Sequence, residues 1–193
     1  MLQDHIATQP AQKRTKNFSE VALGFSKKEA TAEALRCPQP TDPISHKRCP
    51  LGIDIFDFIR FIREGDVIRA LDKIKEENYL PAICGRICSA PCEKGLSKEG
   101  NGFVHVRALE RYAAEFGQRK STKNISAEGN QKKKVAVVGS GPCGLTAAGD
   151  LARLGYGVTI FEAFHLPGGV LRYGTPQFRL PRKILDSEIA YVQ

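Results

Sequence analysis

The chain has no tryptophan, a single methionine at Met1, and no apolar run approaching the length of a membrane span. The last of these argues against a helical membrane protein. The polar stretch from Met1 to Asn17 has no apolar signal-peptide core, so the expected compartment is the cytoplasm. There is no internal repeat. No Ser/His/Asp set or paired-carboxylate arrangement points to hydrolysis, and His5, His46, His105 and His165 are scattered without metal-ligand spacing. A concentrated basic patch is also missing. The net charge is +8 and the pI about 9.3, but basic and acidic residues are interleaved, as in Lys73-Ile-Lys-Glu-Glu77. Only Lys132 to Lys134 form a run, directly before a strand. The balance argues against nucleic acid and for a solvated surface or docking onto an acidic protein. The 41% hydrophobic content suits a globular protein of one domain or two small ones.

What is present is most specific near Val135. Val135, Val137 and Val138 make a short β-branched strand that runs into Gly139-Ser140-Gly141-Pro142-Cys143-Gly144, with glycines in G-x-G-x-x-G spacing. A helix is predicted through Leu145 and beyond, with Ala148 keeping its packed face small. A second strand, Val158–Phe161, ends in Glu162, 18 residues after Gly144. Gly139 permits the tight turn, Gly141 lets a pyrophosphate approach the backbone, and Gly144 lets helix and strand pack closely. The helix N-terminus offers free N–H groups to the phosphates. An acid at the end of the second strand meets a ribose hydroxyl. Together these features predict a dinucleotide site; a ligand-free βα turn is the alternative.

Upstream, residues 1–25 read as an extended, partly disordered arm. Ser26 and Glu29 form a capping box that opens a helix to about Arg36. A proline-rich loop from Cys37 to Pro50 follows. Asp54 caps a helix over Ile55 to Arg63, closed by Gly65, and Asp66 caps another from Val67 to near Asn78. A second cysteine loop is expected from Leu80 to Gly102, then a helix over about Val104 to Phe116, stopped by Gly117. Residues 118–131 are polar and linker-like. The expected architecture is an α-helical cysteine-bearing domain over 1–120, a linker over 121–131, and a partial α/β Rossmann-type domain over 132–193.

Cys84, Cys88 and Cys92 stand four apart in a segment containing glycine and proline, and Cys37 and Cys49-Pro50 precede them. In a reducing compartment such thiols are metal or cluster ligands more often than disulfides. Cysteines on loops between short helices, with a Cys-Pro pair, are one way of holding an iron–sulfur cluster. Zinc, with His46 or His105 completing a tetrahedral set, is the second reading, although the spacing is C-x3-C and not C-x2-C. Cysteines with no ligand role are the third.

The chain resembles the N-terminal part of the glutamate synthase small (β) subunit family. That family includes the flavin subunit of electron-bifurcating NADH-dependent ferredoxin:NADP oxidoreductases and the N-terminal region of dihydropyrimidine dehydrogenase. The resemblance rests on Asn17-Phe-Ser-Glu-Val-Ala-Leu-Gly-Phe25, Ala34-Leu-Arg-Cys37, Cys49-Pro-Leu-Gly-Ile-Asp-Ile55 and Leu80-Pro-Ala-Ile-Cys-Gly-Arg-Ile-Cys88. It continues through Arg107-Ala-Leu-Glu-Arg-Tyr112, Val135-Ala-Val-Val-Gly-Ser-Gly-Pro142, Pro167-Gly-Gly-Val-Leu-Arg-Tyr-Gly-Thr-Pro176 and Phe178-Arg-Leu-Pro181, in order over nearly the whole chain.

The resemblance implies two 4Fe–4S clusters, then an FAD domain interrupted by an NADPH domain. The cluster nearer the flavin would use Cys49, Cys88, Cys92 and Glu110; Cys84 matches a cysteine that is not a ligand. Read on its own, Glu110 is a surface acid pairing with Arg107 one turn back. The outer cluster would need four cysteines, but only Cys37 is present, with Pro40, Ser45 and Leu96 at the other positions. One cluster is therefore expected, and an interrupted route to the outer electron partner. FAD would lie over Gly139, Ser140, Gly141, Pro142 and Gly144, with its adenosine ribose at Glu162. Gly168, Gly169 and Leu171 would pass near the isoalloxazine, although Gly168-Gly169 alone reads as a turn after Pro167. Cys143 is expected to be a space-filler.

The same resemblance implies that NADPH serves only if a further domain supplies its site, and that the chain is a fragment or one subunit of a split enzyme. Its partner would be a glutamate-synthase large subunit-like protein or a separate nicotinamide-domain chain. The expected function is passage of electrons between NAD(P)H-reduced FAD and one 4Fe–4S cluster. The alternatives are a non-catalytic docking module with a degenerate cluster site, or a zinc-stabilised module.

Overall fold

In the computed structural model the described residues are 6–38, 49–95, 103–117 and 133–193. His5, Pro40, Ser45, His46, Leu96, Lys132 and the 121–131 linker lie outside them. The chain divides into two compact units, Met1–Ser121 and Thr122–Gln193.

The first unit is helical: α1 (Ala11–Arg14), α2 (Lys27–Arg36), α3 (Ile55–Arg63), α4 (Val67–Lys75), α5 (Pro81–Ile87), a 3-10 turn at Pro91–Gly95, and α6 (Val106–Gly117). The caps sit where the sequence sets them. The Ser26 hydroxyl accepts from the Glu29 amide while the Glu29 carboxylate accepts from the Ser26 amide, a complete capping box. Asp54 accepts from the Asp57 amide, and Asp66 from the Arg69 amide. Gly65 takes a positive φ of 81° between α3 and α4, a conformation that favours glycine. Ala30, Ala34, Ile55, Phe58, Ile59, Ala70, Ile74 and Leu109 are among the buried residues of one apolar core that α2, α3, α4 and α6 share.

Two parts of this unit differ from the sequence reading. The arm is not simply extended: residues 8 and 22 form an antiparallel bridge, α1 lies between them, and Gln9 is buried. The reason is polar. Gln9 Nε2 donates to the Glu20 carbonyl at 2.8 Å, a side-chain bond that helix and strand propensities do not register. The second cysteine loop is also partly helical. Pro81 occupies the first turn of α5, where its missing N–H costs nothing. At Gly85, inside the expected loop, an added Cβ would lie 2.6 Å from the backbone of Arg111. It is the contact that lets α5 lie against α6.

The second unit runs β1 (Lys134–Val138), α7 (Pro142–Arg153), β2 (Gly157–Phe161), α8 (Val170–Tyr173) and α9 (Arg182–Val192). The strands pair in parallel, from Lys134 opposite Gly157 to Val138 opposite Phe161. This is the strand–turn–helix–strand unit expected of a Rossmann-type fold. The helix begins at Pro142, earlier than its apolar pattern indicates, because proline is favoured at a first helical turn. Val138 and Phe161 are 88% and 56% exposed, unlike the buried strands of most parallel sheets.

Candidate functional sites

The structure supports two sites, one in each unit. In the helical unit Cys49 opens the turn before α3, Cys88 follows the last residue of α5, and Cys92 lies in the 3-10 turn. Cys49 and Cys92 pack, partly buried, against the apolar core. Burial pushes the Cys92 thiol up to about 12, and the charges of Cys49, Glu93 and Cys88 add to that rise. Cys49 and Cys88 thus lie close enough to Cys92 for their charge to act on its thiol. A metal centre bound there would offset that rise, because coordination favours the thiolate. Among the described residues no three His, Cys, Asp or Glu side chains close around a single metal ion. A four-iron cluster is a larger body than one ion and sets its ligands wider apart.

The backbone around these sulfurs is held. Ala90 takes a left-handed φ of 51°, which a residue with a Cβ adopts only when its surroundings impose it. Its amide donates to Cys88 Sγ at 3.3 Å. Arg107 Nη1 donates to the Cys88 carbonyl at 2.8 Å, and the Arg107 amide donates to Glu93 at 2.9 Å. The start of α6 is thereby tied to the end of α5 at Cys88 and to the 3-10 turn that carries Cys92.

Glu110 is not a surface acid: it is buried in α6. Its Oε1 accepts from Asn78 Nδ2 at 2.8 Å, and Asn78 Oδ1 accepts from the Leu80 amide at 2.9 Å. Asn78 thus joins Glu110 to the start of α5. Cys37 is part of the apolar core, and Cys84 is half-buried on α5. Sequence reasoning assigned no role to Glu93 or Asn78. The adjacency of Glu93 to Cys92 was the one available signal; nothing in sequence connects Asn78 to Glu110, 32 residues away.

The second site is the glycine-rich turn. Gly139 has a φ of 93°, and a Cβ at Gly139 or Gly141 would meet nothing within 4 Å. The turn therefore leaves open space above its backbone, next to the first turn of α7. At Gly144 a Cβ would lie 1.9 Å from the Gly139 carbonyl oxygen, so only glycine fits. These are the three roles a dinucleotide turn gives its glycines, and the turn fits a pyrophosphate. Pro142 and Cys143 are exposed in the first turn of α7; Cys143 is no packed space-filler.

Ser140 joins three segments. Its amide donates to Glu162 Oε2 at 2.9 Å, and its hydroxyl makes a short hydrogen bond to the same oxygen. The same hydroxyl accepts from the Gly168 amide at 2.9 Å. Glu162 Oε1 accepts from the Phe164 amide at 2.9 Å. The Phe164 bond, then the two from Ser140, hold the Glu162 carboxyl down to about 2, so it stays anionic. Gly169, at a φ of 50°, lies against the turn: an added Cβ would be 2.8 Å from Gly141 Cα. Leu171 is buried beyond it, and Arg172 Nη2 makes a short contact with Asp186. Gly168-Gly169 is therefore a close approach to the phosphate turn as well as a bend after Pro167.

Comparison with known proteins agrees with both halves. The family profile described as dihydropyrimidine dehydrogenase domain II, 4Fe-4S cluster, matches residues 14–122. That of the NAD(P)-binding Rossmann-like domain matches residues 137–185. The chain is 37% identical to the NAD-dependent dihydropyrimidine dehydrogenase subunit PreT of Salmonella typhimurium, over 91% of this chain and 43% of that protein. It is 30% identical to the NADPH glutamate synthase small chain of Halomonas elongata, over 92% of this chain and 38% of the relative. It is 34% identical to the NADP(+)-dependent formate dehydrogenase subunit beta of Moorella thermoacetica, over 76% and 24%. The chain thus spans less than half the length of each of these oxidoreductase subunits. With an iron–sulfur domain followed by a Rossmann-like domain, it belongs to the dihydropyrimidine dehydrogenase domain II, 4Fe–4S cluster family.

Proposed function

We propose that this chain is the electron-transferring part of a flavin- and iron–sulfur-dependent NAD(P)H oxidoreductase, holding FAD on its glycine-rich turn and one 4Fe–4S cluster on its helical domain. The observation that carries the reading is the gathering of Cys49, Cys88 and Cys92 in a chain that also presents an open phosphate turn. Glu110 is the proposed fourth ligand. Asn78 orients its carboxylate, and the Ala90 amide and Arg107 orient Cys88. Cys37 is packed into the core, with its thiol donating to the Pro38 carbonyl at 3.4 Å, and Pro40, Ser45 and Leu96 supply no thiols for a second cluster.

At the second site the N-terminus of α7 and the bare backbone of Gly139 and Gly141 would receive the FAD pyrophosphate. The anionic Glu162 would accept from the adenosine ribose, and Gly168, Gly169 and Leu171 would pass beside the isoalloxazine. When bound, FAD supplies a hydride acceptor that can release electrons singly, and the cluster supplies a one-electron carrier. The domains proposed are 1–120 for the cluster and 132–193 for part of the FAD site, joined by 121–131. The relatives are named as subunits. The proposed partner is a large subunit like that of glutamate synthase, or a chain carrying the nicotinamide site, in the cytoplasm.

The test is iron, acid-labile sulfide and FAD per chain after anaerobic purification. About four iron and four sulfide support one 4Fe–4S cluster; neither would refute it. Cys88→Ala should abolish the cluster and leave FAD content unchanged, and iron retained in that variant would overturn the ligand assignment.

A further inference from the structure

The segment Asn17 to Phe25 belongs to neither site, yet one of its side chains reaches the core of the cysteine unit. Glu20 accepts from Arg86 Nε at 2.7 Å and pairs with Arg111 Nη1 at 3.0 Å. Arg86 Nη2 also makes a short contact with Glu115, and Arg111 Nε bonds Glu115 at 2.9 Å. Each arginine therefore touches both carboxylates, and the four charges sum to zero. The two guanidinium side chains are 2% and 7% exposed, where an unpaired cation is strongly unfavourable.

The ring closes the arm on itself as well as onto the helices. The Glu20 carbonyl accepts from Gln9 Nε2, the Ala22 carbonyl accepts from Arg111 Nη1, and Gly24, at a φ of 75°, lies against the Arg111 guanidinium. Arg86 stands two residues before Cys88, and Arg111 directly after Glu110. The end of α5 is consequently fixed to α6 at successive points: Gly85 against the Arg111 backbone, Arg86 in the ring, and the Cys88 carbonyl on Arg107.

We propose that Glu20 is a positioning residue for the cysteine site: through Arg86 and Arg111 it clamps the arm, residues 6–25, across α5 and α6 and so fixes where Cys88 stands. This rests on the reading of Cys88 as a cluster ligand. It gives the Gly-Arg pair inside Cys84-Gly-Arg-Ile-Cys88 a task, close packing and charge closure, that ligation does not.

The test uses the full chain with Glu20→Gln, which keeps the shape and removes the charge. Lys13, Arg14 and Lys16 are exposed trypsin sites on the arm. Cleavage there should rise by about tenfold or more, because local opening becomes easier when a buried ion pair loses one partner. In the cluster-free chain, alkylation of Cys88 by iodoacetamide should accelerate relative to Cys143, the exposed thiol in the other unit, which serves as internal reference. In the cluster-loaded chain the midpoint potential should move to a less negative value, since one anion has been removed near the cluster. Glu20→Asp should restore all three. If Glu20→Gln does not fold, the pair Glu20→Gln with Arg86→Gln removes one charge of each sign; it should keep the faster cleavage and alkylation and return the potential toward the parent value. Parental cleavage and parental Cys88 alkylation would overturn the clamp. Faster cleavage with unchanged Cys88 reactivity would reduce Glu20 to a structural tie and overturn the positioning role. Absence of any cluster in the parent would instead refute the proposed function, and the alkylation ratio would still decide the clamp.

Discussion

Ile59, Ile74 and Leu109 of the helical unit are wholly removed from solvent, while in the Rossmann unit Val138 and Phe161, opposite one another across the two strands, remain exposed. The polar groups follow the same division. Arg86 and Arg111 are buried and each meets two partly exposed carboxylates, Glu20 and Glu115, whereas Glu162 is held by hydrogen bonds at a surface turn. The helical unit fixes its cysteines through packing and closed charge pairs, so its site depends on the whole unit. The Rossmann unit fixes its ligand turn locally, through glycine geometry and the Ser140 bonds. A site of the first kind fails with the core, and one of the second kind fails with single backbone positions.

Leu109, wholly buried in the helical unit, carries the largest expected effect. Leu109→Ala should remove about 2–5 kcal/mol from the helical unit. Urea unfolding should show that loss while hydrogen exchange of the β1 amides keeps its parental rate. Equal loosening of β1 would mean that the two units are not energetically separate. Asn78→Ala sharpens the dependence of the cysteine site on its supports. It removes the buried hydrogen bonds from Asn78 to the Glu110 carboxylate and from the Leu80 amide to Asn78, at a cost of about 1–3 kcal/mol, to be read as a lower thermal midpoint. An unchanged midpoint would show that Asn78 is no support at all.

The glycine turn offers a paired test. Gly144→Ala forces its Cβ onto the Gly139 carbonyl and should destabilise the unit by about 1–3 kcal/mol. Gly141→Ala meets nothing and should change stability by no more than about 0.5 kcal/mol. FAD titration should nonetheless show both weakened, by about tenfold or more (1.4 kcal/mol). Full FAD affinity in Gly141→Ala would remove the turn from the ligand site.

The smallest effect is on acid stability. The Glu162 carboxyl is held at about 2 in the folded chain against an ordinary 4.5. Its contribution is therefore complete above pH 4.5 and lost as the pH falls through about 2. Exchange of the Ser140 amide should rise over that window, and Glu162→Gln should abolish the pH dependence. The same pH dependence in the Gln variant would locate the titrating group elsewhere.

Local signals in the sequence determined a large part of this protein. Ser26 with Glu29, Asp54 and Asp66 mark helix starts because a capping oxygen needs only an amide two or three residues away. The β-branched run before Gly139 and the spacing to Gly144 mark the strand, the turn and the helix for the same reason: every contact involved is short-range. The cysteine spacing grouped Cys84, Cys88 and Cys92, and family resemblance alone selected Cys49, Cys88, Cys92 and Glu110 as the ligand set. Only the tertiary structure decided that Glu110 is buried against Asn78, that Gly85 permits helix packing, and that the arm is pinned by Glu20. These depend on pairings such as Arg86 with Glu20, 66 residues apart, and Arg111 with Ala22, 89 apart. A charge written along a chain carries no record of its partner; the partner is fixed only when packing excludes water and leaves a guanidinium no other carboxylate to meet.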